Sequence, residues 1–314
     1  MKKKLTFIVP CYNEEKNIKP FYDDVLKHFK NLKYNIELIF INDGSKDNTI
    51  LELKKLVDTK DFEIKVINFS RNFGKEAAVY AGLKKSTGDF TVLIDADMQQ
   101  PPYLVLNMLE IIENNEDIDI VAYYQEKRIE NKVLTFLKSG FYKTISKLTG
   151  LKFNNGASDF RLFRRNVLES ILALTDHHRF TKGIFSWIGY NTHYIPYTPS
   201  ERLAGKTSWS LKGLFKYAFT GILSFSNSPF SLILRLGIFS ILVSIVWLLI
   251  LLLSIGIVFS LQYLCAFILF MFGINFIILS IMSEFTHRSY VESLNRPVYI
   301  EKEVITNEKN NKSI

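Results

Sequence analysis

Four short apolar runs, each closed by a polar cluster, constrain this chain more than any other feature of its sequence. LTFIV (5–9) leads into PCYNEE, IELIFI (36–41) into NDGS, IKVINF (64–69) into SRN, and FTVLI (90–94) into DAD. Runs of that length and β-branched content read as strands buried on both faces. Between them the periodicity predicts helices over about Ile18–Leu32 and Thr49–Val57, and a third inside SRNFGKEAAVYAGLKKSTGD with Gly88 as its stop. Strands alternating with helices predict an α/β domain with a doubly wound, mostly parallel sheet. Ligands of such sheets gather outside the carboxyl ends of the strands, where all four polar clusters fall. Further on come a fifth strand (Asp119–Tyr124), a helix over Lys132–Thr149, a strand or loop over Gly156–Arg165 and a helix over Val167–Leu174. HHRFTKGIFSWIGY is an aromatic-rich helix or loop, and the tail from Glu301 reads as polar and loose.

The fourth cluster carries the clearest chemistry. Asp95 and Asp97 leave a strand end one residue apart, so both side chains can face one site. Carboxylates held that close repel, and a shared divalent cation relieves them. The donors are all oxygen, which favours Mg²⁺ or Mn²⁺ over zinc, and Gln99 is in phase to add a neutral oxygen. A solvated acidic turn is the plain alternative. Asp43, beside Gly44, can accept from a base N–H or ribose hydroxyls, or can simply close an Asx turn. Tyr12 can stack on a base and Glu14 can bind a sugar or base edge. Together these residues outline a site for a nucleotide whose diphosphate is held through a metal. Neither GxxxxGK[ST] nor GxGxxG occurs, so the site is not a P-loop or a dinucleotide fingerprint.

Hydropathy divides the 314 residues. Charged and apolar segments alternate up to Pro229, whereas Leu232 to Met282 is almost free of charge. Two stretches, about 235–257 and 262–282, approach the ~20 apolar residues that cross a bilayer as a helix. The alternative is a buried helical hairpin of a soluble core. Lys212, Lys216 and Arg235 precede the first stretch, and His287, Arg288 and Arg296 follow the second. The positive-inside rule then puts both termini and the large N-terminal part in the cytoplasm, giving a multi-pass protein of the cell membrane. The apolar run in MKKKLTFIVPCYNEE is too short for a signal peptide. The predicted organisation is a catalytic domain over 1–209, an amphipathic interfacial helix within 210–230, two transmembrane helices within 231–284 and a cytosolic tail over 285–314. Cys11 and Cys265 fall in different compartments, so no disulfide is expected. The net charge of +8 is scattered and shows no aromatic-interleaved basic motif, which points to an anionic leaflet or anionic substrates and away from nucleic acid.

The order PCYNEE, INDGSKDNT, SRNFGKEAAVYAG, TGDFTVLIDADMQQPP, SDFRL, ERLAGKTS, two spans and NRPVYIEKE resembles the polyprenyl-phosphate glycosyltransferases of inverting family 2, including bactoprenol glucosyltransferases and dolichol-phosphate-mannose synthases. The resemblance implies a GT-A fold and a DXD-type metal site at Asp95, Asp97 and Gln99. It assigns the nucleotide sugar to Pro10, Tyr12, Glu14, Asp43, Lys75, Asp95 and Ala96, and catalysis to Asp97 and Asp159. It assigns phosphate or acceptor contacts to Arg128, Arg202 and Lys206. It further implies a UDP-sugar donor carrying glucose or N-acetylglucosamine, undecaprenyl phosphate as acceptor, and a product used in cell-envelope glycosylation. Homo-oligomers are also implied, as are a lipid-linked-sugar flippase and a downstream transferase as partners. A GDP-mannose-dependent polyprenyl-phosphate mannose synthase is the alternative enzyme, and an inactive membrane scaffold the alternative of another class. A processive polysaccharide synthase would carry QxxRW, which does not occur. Three positions depart from the family pattern: Asn42 stands where many relatives have aspartate, Gln125 where many have arginine, and His287 where a small residue is common near the exit of the second span.

Overall fold

A computed structural model describes residues 2–125, 157–177, 179–197 and 261–307, with isolated positions between 238 and 246. The chain forms two compact units. One comprises Met1–Lys143, Leu151–Leu211 and Pro297–Ile314, and the other Thr144–Gly150 and Lys212–Arg296.

The first unit is built on one eight-stranded sheet of order β7-β5-β6-β4-β1-β2-β3-β8. Its strands are β1 (Lys4–Cys11), β2 (Asn35–Asn42), β3 (Glu63–Phe69), β4 (Phe90–Leu93), β5 (Ile120–Gln125), β6 (Ala157–Arg164), β7 (Thr192–Tyr197) and β8 (Glu301–Thr306). The predicted runs make the parallel centre, β3-β2-β1-β4. Residues on both faces of β1 and β2 are buried, as continuous apolar runs require. The first two helices, α1 (Ile18–Phe29) and α2 (Thr49–Val57), present apolar stripes, that of α1 being Ile18, Phe21, Tyr22, Val25 and Phe29. Helix α3 (Lys75–Lys85) is buried from Ala77 through Leu83. A Cβ on its Gly82 would lie 2.3 Å from Ile8 Cγ2, so glycine lets this helix lie close on the sheet. The remaining helices of this unit are α4 (Val105–Asn114), α5 (Arg165–Ala173) and α6 (Thr181–Trp187).

Several expectations are corrected. Gly88 does not stop α3, which closes at Ser86. A Cβ at Gly88 would meet Phe90 O at 2.5 Å and Thr6 Oγ1 at 2.6 Å, so its role is close passage into β4. NTHYIPY is not a mere return segment but the edge strand β7, parallel to β5. The tail is not loose from Glu301: Glu301–Thr306 forms β8, antiparallel to β3. Polar residues alternate along β8 because only one of its faces is covered, which made it look like a solvated tail. Asn307 then bonds Ile64 N, Thr59 O and Phe62 O, and Tyr299 stacks on Phe69 at 4.9 Å between ring centroids.

In the second unit the longest element among the described residues is α7 (Leu261–Ser293). Its Phe270–Ser293 portion is long and apolar enough to cross a membrane. The predicted second span overlaps α7, although the helix continues past 282. The predicted helix over Lys132–Thr149 and the interfacial helix within 210–230 lie outside the described residues, as does nearly all of the first span.

Because the Tyr299–Phe69 stack joins the tail to the sheet, Tyr299→Ala should cost about 1–2 kcal/mol and lower the thermal midpoint of detergent-solubilised protein by roughly 2–8 °C. An unchanged midpoint would show that the tail adds nothing to stability.

Candidate active site at the carboxyl ends of the strands

The loops after β1 and β2 are tied to each other. Asn13 N–H donates to Ser45 Oγ (2.9 Å) and Asn13 Oδ1 accepts from Lys46 N (2.9 Å). Glu14 N–H donates to Thr49 Oγ1 (2.8 Å), Glu15 N–H to Asp47, and Asn48 N–H to Glu15. These contacts fix the two loops against each other. Glu14 also accepts from Asn17 Nδ2, and Tyr12 remains exposed at the rim. Pro10 pairs with Ile41 inside the sheet, and Ala96 is buried.

Asp43 is buried and accepts from Phe73 N (2.6 Å) and Gly74 N (3.0 Å), holding the loop between β3 and α3. Burial pushes its carboxyl above the ordinary carboxylate value, against the two backbone donors. Each of its oxygens keeps a second lone pair for a ligand donor. Gly44 has φ +63°, and a Cβ there would lie 2.4 Å from Arg71 C, so the β2 loop can pass only as glycine. Asn42, the departure from the family pattern, is explained by its contacts. It donates to Asn68 Oδ1 (2.8 Å), and Asn68 donates to Glu303 Oε1 of β8 (2.9 Å). An ionised aspartate at 42 could not donate to that oxygen.

The fourth cluster meets β6. Leu93 pairs with Arg161 in an antiparallel ladder, so two further steps set Asp95 opposite Asp159. The ammonium of Lys75, the first residue of α3, lies between them, 2.7 Å from Asp95 Oδ1 and 3.0 Å from Asp159 Oδ2. Lys182 of α6 approaches the other Asp159 oxygen at 3.7 Å. Burial acts to raise the Asp159 carboxyl, but Lys75, Lys182 and Arg161 outweigh it and hold it well below the usual carboxylate range. Lys75 is pushed up: burial opposes the shift, and the charges and hydrogen bonds of Asp95 and Asp159 prevail. Asp97 Oδ1 accepts from Gln99 N (3.1 Å) across Met98, whose φ is +59°. This turn keeps Asp97 and Gln99 together at the strand end.

Sequence reasoning found Asp95 and Asp97 and, through the resemblance, Asp159 and Lys75, and the structure brings Lys75, Asp95 and Asp159 together. It missed Lys182 and the pair that places it: Glu76 accepts from Thr181 N (2.9 Å) and from the Thr181 hydroxyl. The lysine of HHRFTKG offered no spacing to link it with SDFRL. Arg128, Arg202 and Lys206 lie outside the described residues. Among the described residues no group of three or more His, Cys, Asp or Glu side chains converges on a metal position. The oxygen donors present fit a Mg²⁺ or Mn²⁺ that takes one or two carboxylates and completes its shell with substrate phosphates and water.

Residues 6–172 match the family described as glycosyl transferase family 2. CsbB of Bacillus subtilis (strain 168) is 36% identical over 303 residues, 95% of this chain and 91% of that protein. A prophage bactoprenol glucosyl transferase homolog of Escherichia coli (strain K12) is 34% identical, covering 96% of this chain and 99% of its own length. Among solved structures, glucosyl-3-phosphoglycerate synthase of Mycobacterium tuberculosis with Mn²⁺, UDP and glucosyl-3-phosphoglycerate superposes at TM-score 0.53 and 17% identity, over 71% of this chain and 80% of that one. That likeness establishes the GT-A type of fold.

A carboxylate depressed in the folded state adds stability that is complete above its unfolded pKa, about 3.9, and is lost as pH falls through that value toward the folded one. Lys75→Met removes the main cause of the depression at Asp159. The variant should therefore lose less stability than the parent between about pH 4 and pH 2, read as thermal midpoint against pH. Parallel curves would remove Lys75 as the source.

Proposed function

This chain belongs to glycosyl transferase family 2, and from that premise we propose that it moves a hexose, glucose or N-acetylglucosamine, from a UDP-sugar to undecaprenyl phosphate with inversion, supplying lipid-linked sugar for the cell envelope. The observation that carries this reading is the row Asp95, Lys75, Asp159 at the strand ends, beside the paired loops of Asn13–Glu15 and Ser45–Thr49. Supporting the acceptor are relatives named bactoprenol glucosyl transferase in Shigella phages SfV and SfX, at 35% and 34% identity. A lipid acceptor also accounts for the long apolar helix α7. Two spans with both termini cytoplasmic would keep the site beside the lipid head group, an orientation supported by the flanking cations Lys212, Lys216, Arg235, His287, Arg288 and Arg296.

The donor's base would lie between Tyr12 and Asp43, with Glu14 within the same loop. Asp95, Asp97 and Gln99 would hold a divalent cation, which offsets charge on the departing diphosphate. Lys75 balances Asp95 and Asp159, so two carboxylates can face one site without repelling the phosphates that enter it. A phosphate monoester has its second pKa near 6 and is mostly dianionic at neutral pH. Such a nucleophile needs no proton removed. Asp159, with an ammonium at each oxygen, is therefore a positioner of the sugar and a stabiliser of positive charge at the anomeric carbon.

Membranes containing the protein, given labelled UDP-glucose, UDP-N-acetylglucosamine or GDP-mannose with undecaprenyl phosphate, should yield a labelled lipid from a UDP-sugar. A lipid product from GDP-mannose alone would replace the donor assignment. In the same assay Asp97→Ala should lose activity by a factor of 100 or more, of the order seen when a group aimed at developing charge is removed (~10²–10³). Asp159→Asn should retain more. Equal losses, with Asp159→Asn recovering as pH rises, would make Asp159 the base.

A further inference from the structure

We propose that Lys182 binds the phosphate of the acceptor, as the far pole of a charge row whose near pole, Asp95 and Asp97, serves the donor diphosphate. The inference rests on the transfer reading above and deepens it.

The row runs from β4 outward across the sheet. Asp95 stands at the end of β4, Lys75 bridges it to Asp159 on β6, and Lys182 reaches the Asp159 oxygen that Lys75 does not hold. An inverting displacement brings the nucleophile to the face of the sugar ring opposite the leaving group. Two phosphates then flank one sugar, and each needs its own cation. Lys75 and the DAD turn lie on the donor side of Asp159, and among the described residues the cation on its other side is Lys182.

Its support is rigid. Glu76, the residue after Lys75, accepts both donors of Thr181, the residue before Lys182. The two lysines are thus set from a single cross-link between α3 and α6. Arg179 lies 4.1 Å from the ring centroid of Tyr80 in α3 and donates to Leu174 O (2.6 Å) and Ile171 O (3.3 Å). Phe185 packs edge-on against Phe163, and Arg161 stacks on Phe185 at 4.1 Å. On a helix anchored through Thr181 and Phe185, Lys182 carries its charge at 23% side-chain exposure, partly screened yet reachable. At 3.7 Å its contact with Asp159 is an ion pair longer than a hydrogen bond. An arriving dianion can draw the ammonium over a short distance while Asp159 keeps it oriented.

The test uses full-length protein in detergent with undecaprenyl phosphate, comparing the parent with Lys182→Met, Lys182→Ala and Lys182→Arg. Methionine keeps most of the side-chain volume, so folding is preserved where alanine fails. Both variants lacking the charge should raise the KM for undecaprenyl phosphate at least tenfold while the donor KM and the Kd for UDP with Mg²⁺ move less than threefold. Lys182→Arg should recover most of the loss. A rise in donor KM and UDP Kd with acceptor KM unchanged would assign Lys182 to the donor diphosphate and overturn the proposal. No change in either constant for Lys182→Met would reduce the lysine to a salt bridge. If the parent makes no lipid-linked sugar from any donor, the transfer reading itself fails; an active parent with an unmoved acceptor KM in Lys182→Met fails only the present assignment.

Discussion

The bridge from Lys75 to Asp95 and Asp159 is the interaction on which the site depends. Two strands deliver carboxylates to the same level of the sheet because β4 and β6 run antiparallel, and without a cation between them the register would set like charges face to face. The cation comes from the first residue of α3, a helix held on the sheet by the close approach at Gly82. Sheet register, helix seating and charge balance are therefore one constraint. A shift in the seating of α3 would unbalance the carboxylates directly.

The nucleotide side is built by another means. The shape of its loops is fixed by hydrogen bonds between them, with Asp43 tying in the loop after β3. A network of this kind arranges donors and acceptors before a ligand arrives, which lowers the entropic cost of binding. It also means that several polar residues are engaged structurally whatever they bind.

The parallel centre was legible because its strands are continuous apolar runs ending in polar clusters, and Asp95 and Asp97 were legible because they follow such a run at once. The edges were not. Strands β7 and β8 are half-covered, so their alternation resembles loop sequence, and β8 pairs with a partner some 240 residues away, beyond any local signal. Lys182 escaped for a related reason: its link to Asp159 passes through Thr181 and Glu76, a tertiary contact that no spacing encodes. Asn42 looked like a defect in a motif. It belongs to an amide chain that ends on Glu303, so the strand missed in the sequence explains the residue that seemed out of place.

The lateness of β8 has a consequence for biosynthesis. Strand β3 emerges from the ribosome early, yet its outer edge is covered only by residues made after α7. Until translation passes Thr306, that edge presents unpaired backbone groups to any other extended chain. The sheet is thus sealed by a segment made after α7, which ties completion of this fold to prior passage of the long apolar helix through the exit tunnel.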